Sequence, residues 1–158
     1  MAYTPVCMVT QLRLHDDLVL GLLLAGETLG AEVLARVQAA GHPQIRYAHG
    51  FLFQVLVPGP RAVGDVAAAL GISSQAVSKA VAELEALGYV ERTPDPSDRR
   101  AKLIRLTAQG DTLTGLADSI IRRIEQQISS ALGDAGHQQL RTLLTRLLPD
   151  LNETANAD

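Results

Sequence analysis

Residues 67–100, AAALGISSQAVSKAVAELEALGYVERTPDPSDRR, contain the pattern that decides the fold. Ala67 supplies a small residue, Gly71 a residue that tolerates positive φ, and Val77 a buried apolar residue. These are the positions at which a helix, a tight turn and a second helix need them. The spacing therefore predicts a helix-turn-helix, whose first helix covers residues 61–70.

A second helix and a hairpin follow the turn. Ser73 or Ser74 is the predicted N-cap of a helix that runs to about Leu87. Two β candidates, residues 89–93 and 101–106, are joined by a tip rich in proline and aspartate. The order helix, turn, helix, hairpin predicts a winged helix-turn-helix.

The second helix of the motif has two different faces. One face is apolar and is expected to point into the core; it contains Val77, Ala80, Val81, Leu84 and Leu87. The opposite face contains Gln75, Ser78, Lys79 and Ala82. Glutamine pairs with adenine and lysine approaches guanine or phosphate in a major groove. We therefore expect Gln75, Ser78 and Lys79 to contact bases, with an ordinary solvated face as the alternative.

The serines at the start of this helix and the hairpin tip add candidate phosphate contacts. Ser73 and Ser74 lie where a helix N-terminus attracts anions. Arg99 and Arg100 protrude on the tip, and narrow minor grooves attract arginine. The alternative is a solvated turn. We expect Asp98 to brace one of the two arginines while the other reaches DNA.

Composition limits the classes of protein that this chain can represent. It has 158 residues, 47% of them hydrophobic and 3% aromatic, which suits helix packing through aliphatic side chains. The 14 basic residues are outnumbered by 17 acidic ones, which argues against a general polyanion binder. Only residues 70–106 are net positive, with six basic against five acidic side chains. A DNA-binding signal is therefore local.

The flanking segments predict long apolar helices. One covers residues 12–40, a second residues 44–56, a third begins after Thr107 and runs to about Leu132, and a last one covers 135–148 after a break at Gly133. These helices have more apolar surface than one monomer core needs. We expect a mainly α fold with a small β-hairpin wing, organised as an N-terminal tail and dimerisation helix (1–43), a winged helix (44–107) and C-terminal dimerisation helices (108–158).

Several segments resemble the multiple-antibiotic-resistance regulator (MarR) family of bacterial transcription factors. The matching stretches are VAAALGIS at 66–73, VSK at 77–79, LEALGYVER at 84–92, DPSDRR at 95–100 and LTAQG at 106–110. The resemblance covers roughly 60 residues closely, and the flanking helices match in layout only. One departure is Lys79, where many members have arginine.

The resemblance implies a homodimer that binds double-stranded DNA at a pseudo-palindromic operator, usually as a repressor. It also implies release by a small aromatic or phenolic ligand, or by an oxidant. The expected ligand cleft would involve Tyr47, His49 and Phe53. The alternative is that these side chains belong to the core, and we favour that alternative.

The sequence gives weaker support for other kinds of site and for other classes of protein. Cys7 has apolar neighbours, so an inert thiol is favoured over a redox sensor. The sequence has no metal-ligand spacing, no phosphate loop and no acid–base pair, so we expect no cofactor and no enzyme. A winged helix used as a protein-interaction module is the serious rival. The N-terminus has no signal-peptide pattern and the apolar run 18–26 is shorter than a membrane span, which predicts a cytoplasmic protein.

Overall fold

A computed structural model describes residues 17–97 and 101–155, with side chains through Leu148. The elements are α1 (Leu18–Ala39), α2 (Tyr47–Leu56), β1 (Arg61–Ala62), α3 (Val63–Leu70), α4 (Ser74–Ala86), β2 (Val90–Pro94), β3 (Lys102–Leu106) and α5 (Ala108–Ala155). The fold is mainly α with a small antiparallel sheet, which confirms the predicted fold class. Of the predicted first helix, residues 12–16 lie outside the described part of the chain.

The turn between α3 and α4 forms as the sequence predicts. Gly71 has φ 64° and ψ 30°, the left-handed conformation that favours glycine. Ile72 N–H donates to the Ala67 carbonyl at 3.1 Å, which closes the end of α3. Of the two candidate caps, Ser73 is the one used, because its Oγ accepts from Ala76 N–H at 3.2 Å.

The core of the winged helix is formed by α2, α3, α4 and the sheet. Its most deeply buried apolar side chains are Leu52, Leu56, Val66, Val77, Val81, Leu84, Val90 and Ile104. They are leucines, valines and one isoleucine, as the low aromatic content requires. This core fixes which face of α4 points outward.

The sheet has one strand more than the predicted hairpin. Its strand order is β1-β3-β2, with Arg61 paired to Ile104 and Val90 to Leu106. The prediction that residues 61–70 form one helix is therefore wrong for Arg61 and Ala62. These two residues pair with the outer edge of β3, a long-range contact that helical periodicity does not reveal.

The buried face of α2 also differs from the simple periodic pattern. The helix begins at Tyr47 rather than at residue 44, the predicted start. The buried positions are His49, Leu52, Phe53 and Leu56, spaced as one helix face. A polar residue, His49, thus takes a core position that an apolar pattern would not assign.

A compact joint connects the wing to α5. Thr107 Oγ1 donates to the Gly88 carbonyl at 2.6 Å and accepts from Gly110 N–H at 3.1 Å. Thr107 N–H donates to the Tyr89 carbonyl at 3.1 Å. A Cβ on Gly110 would overlap that same carbonyl oxygen. The joint explains physically why threonine and glycine stand three residues apart here.

The helix α5 contains the predicted break. Gly133 has φ 69° and ψ 161°, so the helical hydrogen-bond ladder is interrupted there. Helical structure continues to Ala155, beyond the predicted end near Leu148. The chain divides into two compact units, one ending at Ala117 and the other beginning at Asp118.

Candidate nucleic-acid interface

The N-terminal half of α4 presents the predicted polar face. Gln75, Lys79 and Ala82 are exposed, and Ser78 is half-buried. On the opposite side Val77, Val81 and Leu84 are fully buried, while Ala80 and Leu87 are half-buried. The helix is thus anchored along one side, and its glutamine and lysine extend from the other.

The start of α4 offers further hydrogen-bond donors. Ser73 and Ser74 are both exposed. The Ser73 hydroxyl oxygen is occupied by Ala76 N–H, but its hydrogen remains able to donate. The first backbone N–H groups of a helix have no intrahelical acceptor and attract anions. The site predicted to hold a phosphate therefore has suitable donors.

Three glutamates of the winged helix are paired with arginine. Glu83 forms an ion pair with Arg46, Arg92 Nε lies 3.3 Å from Glu85, and Arg105 Nε donates to Glu91 at 2.7 Å. Within residues 17–97 and 101–155, Lys79 and Lys102 have no such ion pair. Their charges are available to a polyanion, which strengthens the small positive balance of this region.

A hydrogen bond closes the wing where its two strands meet the tip. Asp95 N–H donates to the Ala101 carbonyl at 3.1 Å, and Asp95 Oδ1 accepts from both the backbone and the hydroxyl of Ser97 at 2.7 Å. Asp98, Arg99 and Arg100 lie outside the described residues. Their predicted roles as wing brace and DNA contacts remain predictions.

A cluster that the sequence did not reveal joins α2 to α4. It consists of Arg46, His49 and Glu83. His49 is 2% exposed, and its Nε2 lies 3.4 Å from Glu83 Oε2. Burial, and then the Arg46 guanidinium, lower the pKa of His49 below 6.5. No local pattern links residues so distant in sequence; the only signal was a histidine on an otherwise apolar face.

The match to a known family confirms the fold in this region. Residues 48–101 match the model of the MarR family. By this match the winged helix resembles the MarR family. A protein of Thauera aromatica named as a transcriptional regulator for the hcr operon is 29% identical over 104 residues, 65% of this chain. The match spans 63% of that relative, less than two thirds of its length.

Solved structures show the same fold over most of the chain. A transcriptional regulator from Thermotoga maritima is 26% identical with a TM-score of 0.58, covering 85% of this chain and 94% of its own. The transcriptional repressor CouR, bound to a 23-mer DNA duplex, is 24% identical with a TM-score of 0.71, covering 87% and 99%. Apo MarR from E. coli is 20% identical with a TM-score of 0.65, covering 84% and 97%.

The three predicted ligand-cleft residues have different surroundings. His49 and Phe53 are buried, and Phe53 packs edge-to-face on Tyr89 with ring centroids 6.1 Å apart. Tyr47 is 51% exposed and packs on α1 at Gly30, where a Cβ would overlap its ring. The three side chains therefore do not share one exposed surface.

The remaining predictions concern the Cys7 thiol and a metal site. Cys7 lies outside the described residues, so its predicted inertness remains a prediction. Among residues 17–97 and 101–155, no group of three histidine, cysteine or carboxylate side chains is arranged to hold a metal ion.

Proposed function

We propose that this chain is a sequence-specific DNA-binding transcription regulator that acts as a homodimeric repressor. The observation that carries the proposal is the exposed polar face of α4 on a MarR-family winged helix. The buried side of α4 fixes its rotation, so Gln75 and Lys79 extend together toward an outer partner. A recognition helix in a major groove requires that arrangement.

The proposed contacts divide into two groups. Gln75, Ser78 and Lys79 contact base edges, where an amide, a hydroxyl and an ammonium distinguish base pairs. The other group positions the protein on phosphate or in the minor groove; it contains Ser73, Ser74, Arg99 and Arg100. Asp98 braces one of the two arginines.

Exposed apolar side chains support self-association. On α1, Leu18, Val19 and Leu23 are largely exposed, and in the C-terminal unit so are Leu143 and Leu148. Apolar surface of this kind is usually covered by a partner. We assign dimerisation to segments 1–43 and 108–158, on either side of the winged helix at 44–107. Two recognition helices about 34 Å apart then meet half-sites one DNA turn apart.

A membrane helix is the competing explanation for α1. Taken whole, α1 is long and apolar enough to cross a bilayer by length and composition, although the run 18–26 alone is too short. Against a span, α1 contains Glu27 and an exposed Glu32–Arg36 ion pair, with 2.7 Å between Arg36 Nε and Glu32 Oε1. Charged groups at membrane depth are costly. A dimer interface in a cytoplasmic protein accounts for the same helix without that cost.

A small aromatic or phenolic ligand is the proposed releasing signal. Tyr47 and Phe51 are each 51% exposed and pack edge-to-face with centroids 5.2 Å apart. Such a pair offers exposed aromatic surface with one phenolic hydroxyl. Of the predicted cleft residues, exposed Tyr47 is our proposed ligand contact, whereas His49 and Phe53 are buried.

The test is a titration of the DNA that flanks this protein's own gene, with single-base variants of the bound site and an unrelated duplex. The Gln75→Ala variant should lose about 2 kcal/mol on the preferred site and become indifferent at one base position. Gln54→Ala, an exposed glutamine on α2, serves as the matched control and should bind like the wild type.

Two outcomes would contradict the proposal. If Gln75→Ala weakened binding to every sequence equally, Gln75 would not contact a base. If the wild-type protein showed no preference over the unrelated duplex, the winged helix would be better explained as a protein-interaction module.

A further inference from the structure

Glu83 occupies a sensitive place on the recognition helix. It lies four residues after Lys79, so the two side chains are neighbours on the helix surface. A free carboxylate there would pair with the Lys79 ammonium and would also repel DNA phosphate. The structure shows Glu83 bound elsewhere, in an ion pair with Arg46.

Arg46 reaches Glu83 from outside α4. It is the N-cap residue of α2, and its side chain is 61% exposed while that of Glu83 is 31% exposed. Its backbone N–H donates to His49 Nδ1 at 3.3 Å. The same residue thus starts α2 and holds a carboxylate of α4.

Buried His49 is the third member of this cluster and contacts both Arg46 and Glu83. Because its Nδ1 accepts a hydrogen bond, the neutral ring must hold its proton on Nε2, which faces Glu83 Oε2 at 3.4 Å. The Arg46 guanidinium lies 3.3 Å from the same Nε2 and disfavours a second positive charge there. Arg46 is therefore the cation that balances Glu83.

We propose that Arg46 is a positioning residue for DNA recognition, which acts by holding Glu83 away from Lys79. The inference rests on the proposed function. With Glu83 held, the Lys79 ammonium is available to DNA and α4 is tied to α2. Without Arg46, Glu83 pairs with Lys79 and places an unbalanced negative charge near phosphate.

The experiment compares Arg46→Met, Glu83→Gln and the double variant on one operator duplex over a range of salt. Arg46→Met should weaken binding about tenfold, and adding Glu83→Gln should restore it to within about threefold of wild type. Methionine keeps the aliphatic stem, and thermal melts check folding. Arg105→Met is the matched control, because it breaks an Arg–Glu pair of the sheet, outside the dimerisation segments and the proposed contacts, and should leave affinity unchanged.

A direct phosphate contact by Arg46 would give a different pattern. The salt slope would fall by about one, and Glu83→Gln would not restore affinity. Either failure of restoration or wild-type affinity in Arg46→Met would overturn the inference.

A second measurement does not depend on DNA. Titration of the His49 ring by NMR should show a proton on Nε2, and Arg46→Met should raise the pKa of His49. If no duplex is bound specifically but this pKa rises, the proposed function fails and the cluster stands. If the pKa of His49 is the same in both proteins, the cluster is absent in solution and the inference is wrong.

Discussion

Apolar side chains are buried in the winged helix but exposed on the helices that flank it. In the winged helix, Val77 and Leu84 are completely buried. In α1, Leu18 is 74% exposed, and in the C-terminal unit Leu143 is 52% exposed. The winged helix completes its own core, whereas the described flanking helices leave apolar side chains exposed, which we propose a second copy of the chain covers. Stability of the first should therefore be independent of concentration, and that of the second should depend on it.

The largest expected effect is on self-association. Burying one leucine contributes about 2 kcal/mol, and two-fold symmetry counts each interface residue twice. Leu143→Ala should therefore weaken a dimer by about 4 kcal/mol, several hundredfold in dissociation constant. Sedimentation equilibrium over a range of concentrations measures this directly.

The matched control is Leu84→Ala in the winged helix. It should lower the free energy of unfolding by about 3 kcal/mol because it leaves a cavity, while the dissociation constant stays unchanged. If Leu143→Ala associated as tightly as wild type, the C-terminal apolar face would not be the interface and the contrast between the regions would lose its explanation.

A smaller effect is expected at the joint between the wing and α5. A Cβ at position 110 would overlap the Tyr89 carbonyl oxygen, so Gly110→Ala should reduce the free energy of unfolding by about 2 kcal/mol. Gly115 lies in the same helix with no neighbouring atom in the way. Gly115→Ala should instead stabilise the protein by about 1 kcal/mol through helix propensity. Chemical denaturation of both variants tests this, and equal signs would show that the joint tolerates a side chain.

The features of the fold that the sequence predicted depend on residues that lie close together in the chain. Gly71, Ser73 and Gly133 act on the backbone within a few residues, so sequence alone placed the turn and the break in α5 and narrowed the helix cap to Ser73 or Ser74. The polar face of α4 was predictable for the same reason, since helical spacing separates it from the buried face. Base contacts by that face remain a prediction.

Features that depend on residues far apart in the sequence were not predicted. Arg61 joined a strand because β3 offered an unpaired edge, and Arg46 paired with Glu83 because folding brought α2 beside α4. In neither case does the partner lie within one helix turn, so the helical periodicity of the sequence cannot reveal these contacts. The wing arginines, Arg99 and Arg100, stay predictions because they fall outside the described residues.

The smallest expected effect concerns pH and the buried His49. The ordinary histidine pKa is 6.5, and burial followed by the charge of Arg46 lowers the value in the folded protein. As pH falls below 6.5, the unfolded chain binds a proton that the folded chain does not, so the unfolded state is favoured. Stability contributed by neutral His49 is thus present above pH 6.5 and decreases until the folded pKa is reached.

Replacing His49 with glutamine should remove this part of the pH dependence, because glutamine does not titrate, while His137→Gln in the C-terminal unit should retain it. Denaturation at several pH values and two protein concentrations provides the measurement. Since His49 belongs to the core that the winged helix completes alone, the decrease should be the same at both concentrations. A decrease that grew on dilution would mean that protonation acts on self-association, and the two regions would then be coupled rather than independent.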